Sequence, residues 1–247
     1  MNPNYTPAPD LLKNRVILVT GAGQGLGRAA ALAFARHGGT IILLGRTVGK
    51  LEKVYDEIVA AGGAQPAIFP MDLALATDAD FEAMAQAIGY QIGRLDGILH
   101  CAAAFEALRP QNLDTLEDWM KLFRVNAAAP AAINRACAHY LEASGDASVI
   151  LVGENHGHVP KAYWGGFAVS KAALEAYFKI QADEWSEKPI RINLVLPGPV
   201  NSPQRARTHP GEEKSSLPQP DDLMPHFLYL MGTDSENVRN QCISCQI

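Results

Sequence analysis

Residues 16–27 read Val-Ile-Leu-Val-Thr-Gly-Ala-Gly-Gln-Gly-Leu-Gly, and this stretch decides how the chain folds. The apolar run Val16–Thr20 is typical of a buried strand, and an alanine-rich helical run begins at Arg28. Glycines at a strand-to-helix turn let the backbone approach a phosphate closely. The first N–H groups of the helix then supply donors and the positive end of its dipole. We therefore predict that the turn Thr20–Gly27 binds the phosphates of a dinucleotide.

The rest of the chain repeats this alternation of strand and helix. Each short run is almost continuously apolar, which is typical of a strand buried on both faces of a parallel sheet. The alternation predicts an α/β fold, namely a doubly wound, seven-stranded parallel sheet of the Rossmann type that forms a single domain over residues 1–247. The predicted strands are Val16–Thr20, Thr40–Leu44, Ala67–Met71, Gly97–Cys101, Ser148–Gly153, Arg191–Leu196 and Gln241–Ile247. Of about six helices, the clearest are Gly27–His37, Val48–Ala61, Asp78–Ile92, Leu116–Leu141 and Ala168–Ser186.

Composition argues against several classes of protein. The formal net charge is −5 and the acidic residues are dispersed, whereas a nucleic-acid-binding protein needs a basic face or tail. No run of about eighteen apolar residues occurs, so we expect no membrane span. The segment Met1–Asp10 is polar, rich in proline and without the pattern of a signal peptide, so we expect a cytoplasmic protein.

The four cysteines do not form a pattern that predicts a metal site. Cys242 and Cys245 make a CxxC near the C-terminus, but neither a second pair nor neighbouring histidines follow. Positions three apart in a strand point to opposite faces of the sheet, which weakens a shared ligand role. We expect reduced thiols at Cys242 and Cys245, as at Cys101 and Cys137.

Two segments fall outside the alternation. Residues 1–12 form an N-terminal extension. The stretch Pro197–Pro220 contains six prolines and many polar residues, and it follows the carboxyl end of a predicted strand. Ligands bind at the carboxyl ends of the strands in open parallel sheets, so we predict a substrate loop or lid over residues 198–220.

The residue after the second predicted strand bears on the choice of dinucleotide. An NAD site commonly has an acidic residue here to accept a hydrogen bond from the ribose 2′-hydroxyl, but this chain has Gly45 followed by Arg46. A guanidinium can pair with a 2′-phosphate where no carboxylate repels it. Arg46 therefore favours NADP(H) over NAD(H), although a solvated loop arginine remains the alternative.

The turn Thr20–Gly27 fits the TGxxxGxG motif, and over its whole length the chain resembles the short-chain dehydrogenase/reductases. It is most similar to a bacterial branch that has a short polar N-terminal segment and Leu-Leu-Gly-Arg after the second strand, here residues 43–46. The resemblance implies an oxidoreductase that uses a nicotinamide cofactor on a carbonyl or alcohol substrate. It also implies that the cofactor contacts Gly21, Gln24, Gly25, Leu26, Gly27, Arg46, Asp72, Leu73, Ala102, Lys171, Pro197, Gly198, Val200 and Ser202.

Several of these positions match motifs of the family one by one. Asp72 matches the acid that contacts adenine after the third strand, and Pro197-Gly198 matches the turn beside the nicotinamide. Ser202 lies where the family often has a threonine that bonds the carboxamide. Two members of the Asn–Ser–Tyr–Lys catalytic tetrad are also present, as Asn126 and Lys171.

The other two members of the tetrad are replaced. The tyrosine of the YxxSK signature is Phe167, and the serine expected thirteen residues before it is Glu154. Phenylalanine cannot supply the proton that carbonyl reduction needs, and loss of a general acid typically costs on the order of 10²- to 10⁴-fold in rate. The family's NNAG motif also reads His-Cys-Ala-Ala at residues 100–103, and Ala103 in place of glycine could crowd the cofactor pocket slightly.

Glu154 is the strongest candidate for a replacement acid. It lies where the serine would face the substrate, and we expect an ion pair with Lys171 and contact with Phe167. The alternative interpretation is that Glu154 is a structural partner of Lys171 that fills the vacated space. His156 and His158 could also titrate near neutrality, but they are weaker candidates because solvated loop residues explain each of them better. Tyr163 would share a helical face with Phe167 if the helix began early enough.

Two functions therefore remain open from the sequence. One is an NADP(H)-dependent oxidoreductase with a rebuilt proton relay in which the site residues are Asn126, Glu154, Phe167 and Lys171. The other is a non-catalytic NADP(H)-binding protein that acts through cofactor-dependent binding or assembly. In either case we expect a small-molecule ligand and a homodimer or homotetramer that associates through the helices Leu116–Leu141 and Ala168–Ser186. The substrate pocket is expected among residues 105–109, 156–164 and 202–217.

Overall fold

The computed structural model describes residues 5–245 of the chain, which form a single parallel sheet covered on both faces by helices. The strands are β1 (Val16–Thr20), β2 (Thr40–Gly45), β3 (Ala67–Pro70), β4 (Gly97–His100), β5 (Ala147–Val152), β6 (Ile190–Leu196) and β7 (Cys242–Ser244). Their order across the sheet is β3-β2-β1-β4-β5-β6-β7, and every pair is parallel. This arrangement confirms the predicted doubly wound fold, with the switch point between β1 and β4.

Nine α-helices occur among the described residues, and six of them pack on the two faces of the sheet, three on each. One face packs through Phe34 and Phe227, and the opposite face packs through Ile133, Leu174 and Phe178. All five side chains are almost completely buried, because each helix turns an apolar stripe toward the sheet. The helices are α1 (Gly25–Arg36), α2 (Val48–Ala60), α3 (Asp78–Gln91), α4 (Leu116–Phe123), α5 (Ala129–Ser144), α6 (Asn155–His158), α7 (Gly165–Glu184), α8 (Pro203–Thr208) and α9 (Met224–Met231).

The stretch Leu116–Leu141 is helical throughout, as predicted, but the helix is not regular. A π-helical turn, Arg124–Ala128, separates α4 from α5. Pro130 lies in the first turn of α5, has no N–H to donate to the carbonyl of Asn126, and would clash with that carbonyl in a regular α-helix. The wider turn accommodates the proline, and it places Asn126 at the centre of the irregularity.

Two other expectations need correction near the carboxyl edge of the sheet. The stretch 197–220 is not irregular throughout, because α8 lies within it with Pro203 as its first residue and the Ser202 hydroxyl capping the N–H of Arg205. Tyr163 does not share a helical face with Phe167. Its φ of 73° is left-handed, and α7 begins only at Gly165.

Residues 1–4 of the N-terminal extension and residues 246–247 of the last predicted strand lie outside the described part of the chain. Among the described residues β7 is shorter than predicted, because Gln241 and Cys245 are not part of the strand; Cys242 is exposed and Cys245 is buried. Among residues 5–245, no helix combines the length and apolar character needed to cross a bilayer.

Candidate functional site

A cavity of about 580 Å³ lies at the carboxyl edge of the sheet. Its lining comes from the segments that follow β1 to β6 and from α8, as expected for the ligand site of a doubly wound sheet. Every residue predicted to contact the cofactor borders this cavity: Gly21, Gln24, Gly25, Leu26, Gly27, Arg46, Asp72, Leu73, Ala102, Lys171, Pro197, Gly198, Val200 and Ser202.

The glycine turn has the close packing that a phosphate cradle requires. Gly21 has a left-handed φ of 69°, and a Cβ on it would lie only 2.8 Å from the Cα of Ala102. The Thr20 hydroxyl accepts hydrogen bonds from the N–H groups of Cys101 and Ala102, both at 3.1 Å, and so ties the turn to the end of β4. The turn is therefore held rigid, with the first N–H groups of α1 available to a ligand.

Two cations lie at the end of the cavity next to β2. Arg46 borders the cavity, is exposed and has no carboxylate partner among the described residues. Lys50 in the first turn of α2 also borders it and donates to the side-chain oxygen of Gln24 at 2.5 Å. Asp72 lies across from them, with one carboxylate oxygen bonded to the N–H of Ala74. This donor set matches a phosphorylated ribose next to an adenine, so the residues present fit NADP(H).

Lys171 occupies the opposite end of the cavity. Its ammonium group donates to the carbonyl of Val152 at 2.9 Å, and the side chain is almost completely buried. Burial lowers the pKa of Lys171, while the nearby negative charge of Glu154 acts in the opposite direction. The expected Glu154–Lys171 ion pair does not form as a direct contact within 4.0 Å, because the Lys171 ammonium is instead bound to the end of β5.

Glu154 instead pairs with His156. The two side chains are joined by Glu154 Oε1 and His156 Nδ1 at 3.2 Å, and both border the cavity. The His156 ring stacks on Trp164, with ring centroids 3.7 Å apart and planes at 11°. The rings of His209 and Trp164 have centroids 6.2 Å apart, and burial followed by the charge of Arg205 lowers the pKa of His209. His158 does not border the cavity, since it bonds Glu175 on α7.

Asn126 and Phe167 lie behind the wall of the cavity rather than on its lining. The Asn126 side chain accepts from the N–H of Ala104, donates to the carbonyl of the same residue, and donates to the Ser170 hydroxyl. Phe167 is buried edge-on against Phe105, with ring centroids at 5.3 Å. Asn126 thus joins the segment after β4 to α7, and Phe167 fills an aromatic cluster.

Several residues that border the cavity carried no recognised signal in the sequence. Lys50 could have been found, because it lies four residues after Arg46 at the start of a helix. Arg205 and Arg207 come from α8, where Arg205 pairs with Glu212 and Arg207 donates to the carbonyl of Glu106. Their approach to the cavity depends on how the segment after β6 folds back, which no local pattern reveals.

The fold and the cavity define a Rossmann-type nucleotide-binding protein, and comparison with known proteins gives its family. A family model described as short chain dehydrogenase matches residues 15–213. The chain belongs to the short-chain dehydrogenase family.

Relatives with known sequence or structure match almost the whole chain. Uncharacterized oxidoreductase YciK of Escherichia coli K12 is 36% identical over 243 residues, which cover 98% of this chain and 96% of the relative. A short-chain dehydrogenase of Shigella flexneri, solved in complex with NADP, has a TM-score of 0.94 at 35% identity and covers 97% of this chain and 100% of its own. One from Escherichia coli CFT073, solved with NADPH, has a TM-score of 0.94 at 36% identity, with coverage of 98% and 100%.

Proposed function

We propose that the protein is an NADP(H)-dependent oxidoreductase that interconverts a carbonyl compound and an alcohol through a proton relay built around Glu154. The observation that carries this proposal is that Glu154 and Lys171 border the same cavity as the glycine turn. A carboxyl group and a buried ammonium group at the end of a cofactor cavity can exchange a proton and donate hydrogen bonds, which are the roles of the missing tyrosine and serine hydroxyls.

The proposed choice of NADP(H) rests on Arg46 and Lys50, which offer two cations where a 2′-phosphate would lie. It is supported by the structures of the Shigella flexneri and Escherichia coli relatives in complex with NADP and NADPH. When bound, the reduced nicotinamide supplies a hydride. The chain's own residues hold the phosphates at the glycine turn, orient the ribose beside Lys171 and deliver the proton.

We further propose that residues 198–220 act as a lid. Pro203 Cδ stands 3.5 Å from the position of a Cβ on Gly25, so the start of α8 rests against the glycine turn. Arg205 and Arg207 are trypsin sites in this segment. We expect NADPH to slow tryptic cleavage there, measured by mass spectrometry, and an unchanged rate would contradict closure over the cofactor.

Calorimetric titration followed by a steady-state assay tests the proposal. We expect tighter binding of NADPH and NADP⁺ than of NADH and NAD⁺, and NADPH oxidation with at least one member of a panel of aldehydes and ketones. Glu154→Gln should lose most of that turnover while still binding the cofactor. Full turnover by Glu154→Gln would contradict the role assigned to Glu154.

A second candidate function is a non-catalytic NADP(H)-binding protein that acts through cofactor-dependent binding or assembly. It is favoured by the burial of Phe167 in the cluster with Phe105 and Trp164, which leaves no hydroxyl at the tyrosine position. The double variant Phe167→Tyr/Glu154→Ser tests it. Carbonyl reductase activity that appears only in this variant would indicate a disabled enzyme, and robust turnover by the wild type would contradict this candidate.

A further inference from the structure

We propose that His156 is a catalytic residue that exchanges the proton with the substrate oxygen, and that Glu154 is the positioning residue that orients it. This inference rests on the proposed oxidoreductase function and assigns the atom through which its proton relay meets the substrate. The assignment comes from three features of the described structure. A carboxylate lies against one nitrogen of the His156 ring, an aromatic ring stacks on it, and its second nitrogen has no hydrogen-bond partner.

The Glu154 carboxylate and the Trp164 indole fix the orientation of the His156 ring. Glu154 Oε1 lies 3.2 Å from Nδ1, and the indole of Trp164 stacks at 3.7 Å between centroids, almost parallel to the imidazole. A carboxylate that accepts from Nδ1–H leaves Nε2 as the nitrogen that exchanges a proton with a ligand. Both the negative charge and the aromatic face stabilise an imidazolium. The ring is thus oriented to serve as a proton donor.

The second nitrogen of His156 is available to a substrate. Nε2 has no hydrogen-bond partner among the described residues, and the His156 side chain is 19% exposed on the lining of the cavity. His158 differs although it belongs to the same short helix and also has a carboxylate on Nδ1. That carboxylate is Glu175, and the His158 ring is not part of the cavity lining.

Charged groups from two neighbouring elements also face His156. The Lys171 ammonium group of α7 interacts electrostatically with the Glu154 carboxylate. Arg205 of α8 and His209 just after it come from the segment after β6, and His209 interacts electrostatically with both His156 and Glu154. Arg205 is neutralised by its two contacts with Glu212, so Glu154 supplies the closest charge acting on the His156 ring.

The proton and electron balance follows from this geometry. In reduction, the carbonyl carbon gains a hydride from the nicotinamide of NADPH, and the carbonyl π pair moves to oxygen. That oxygen forms its new O–H bond with the proton from Nε2, whose N–H bond breaks and leaves a neutral imidazole. Solvent then reprotonates the ring at the mouth of the cavity. In alcohol oxidation the same ring accepts the proton.

Steady-state assays of the full chain with NADPH and 4-nitrobenzaldehyde or 9,10-phenanthrenequinone test the role of His156. We expect His156→Gln to lower kcat by about 100-fold and Glu154→Gln by about tenfold, as for loss of a general acid and of its orienting group. The matched control His158→Gln should keep the wild-type kcat. Both losses should appear in kcat rather than in the KM for NADPH, since neither residue is assigned to cofactor binding.

A second readout does not depend on turnover. In protein with ¹⁵N-labelled histidine, the two ring nitrogens of His156 can be observed separately by NMR, with His156→Gln assigning the signals. We expect Glu154→Gln to move the Nδ1 resonance more than the Nε2 resonance, since Nδ1 is the nitrogen that lies against Glu154 Oε1. The His158 signals should not move. Unchanged His156 signals would overturn the pairing.

The assays also separate two kinds of failure. Wild-type kcat in His156→Gln, beside an active wild-type enzyme, would overturn the role of His156 and leave the proposed function standing. If the wild type reduces neither probe nor any carbonyl of the panel, the proposed function falls and this inference falls with it. Added imidazole should restore part of the activity of His156→Ala, which a merely structural role for the ring does not predict.

Discussion

Arg46 is a cation at the edge of the cavity that has no carboxylate partner within residues 5–245. Arg46→Ala should weaken NADPH binding by about ten- to a hundredfold, since a charged hydrogen bond contributes about 1.5–3 kcal/mol. Binding of NADH should stay the same because NADH lacks the 2′-phosphate. Isothermal titration calorimetry with both nucleotides measures the difference.

Lys53→Ala is the matched control for Arg46, because Lys53 is an exposed cation on α2 that does not border the cavity. Lys50→Ala should give an intermediate loss for NADPH, since its ammonium group already donates to Gln24. An equal loss of NADPH and NADH affinity in Arg46→Ala would show that the arginine does not bind the 2′-phosphate.

The burial of His100 makes the free energy of unfolding depend on pH. Its ring is completely buried, and burial lowers its pKa from 6.5 to about 4, while the hydrogen bond with Asn134 acts in the opposite direction. The folded chain therefore keeps His100 neutral between these two values, whereas the unfolded chain binds a proton. The free energy of unfolding must fall as the pH drops from 6.5 toward 4.

Urea unfolding at pH 7.5 and at pH 5 measures this effect. His100 should account for about 2 kcal/mol of the stability lost between them, and His100→Asn should remove that share. His139→Asn, a change at an exposed histidine, should leave the pH dependence as in the wild type. Identical pH dependence in His100→Asn and the wild type would mean that His100 is not held neutral by the fold.

The π-helical turn between α4 and α5 is the element that connects the cavity wall to α7. Asn126 at its centre bonds the N–H and carbonyl of Ala104 and the hydroxyl of Ser170. Asn126→Ala leaves the N–H and carbonyl of Ala104 without that partner, while the Ser170 hydroxyl keeps its bond to the carbonyl of Phe167. The free energy of unfolding should therefore fall by about 2–3 kcal/mol, as measured by urea denaturation. Asn112→Ala, at an exposed position without such bonds, is the control. An unchanged midpoint would show that the turn does not depend on Asn126.

Regular elements and the phosphate turn could be predicted from the sequence because their signals are local. Apolar runs specified all seven strands, and glycine spacing specified the turn Thr20–Gly27. The π-helical turn before Pro130 also has a local cause, but apolar periodicity continues through it and predicts a regular helix. The pairing of Glu154 with His156 instead of Lys171 was beyond sequence reasoning. It depends on the bond between Lys171 and the end of β5 and on where Trp164 places its ring.

At the scale of the whole molecule, the doubly wound sheet gathers segments that are far apart in the chain around one cavity. The parallel strands end at one edge, so the glycine turn after β1, Arg46 after β2 and Glu154 after β5 meet there although they span more than half of the sequence. The helices on the two faces leave that edge open. We expect association between copies of the chain to use the outer faces of the helices, which would leave the cavity accessible.

The outer face of α4 carries an apolar row that the fold itself does not cover. Leu116, Met120 and Phe123 are 72%, 51% and 45% exposed, and they recur at helical spacing on the element that packs beside α7. Exposed apolar residues grouped in this way mark association surfaces. We expect a homodimer or homotetramer that buries this row, and Met120→Glu/Phe123→Glu should convert it to a smaller species, because a carboxylate buried without a partner opposes association.

Light scattering coupled to size-exclusion chromatography measures the mass of each variant. The control is Val59→Glu/Tyr90→Glu, which places the same charges at exposed apolar positions on α2 and α3. This control should keep the wild-type mass, since association through α4 does not involve those helices. A monomeric wild type, or an unchanged mass in Met120→Glu/Phe123→Glu, would contradict association through α4. If cofactor affinity in the smaller species equals that of the wild type, the cavity is complete within a single chain.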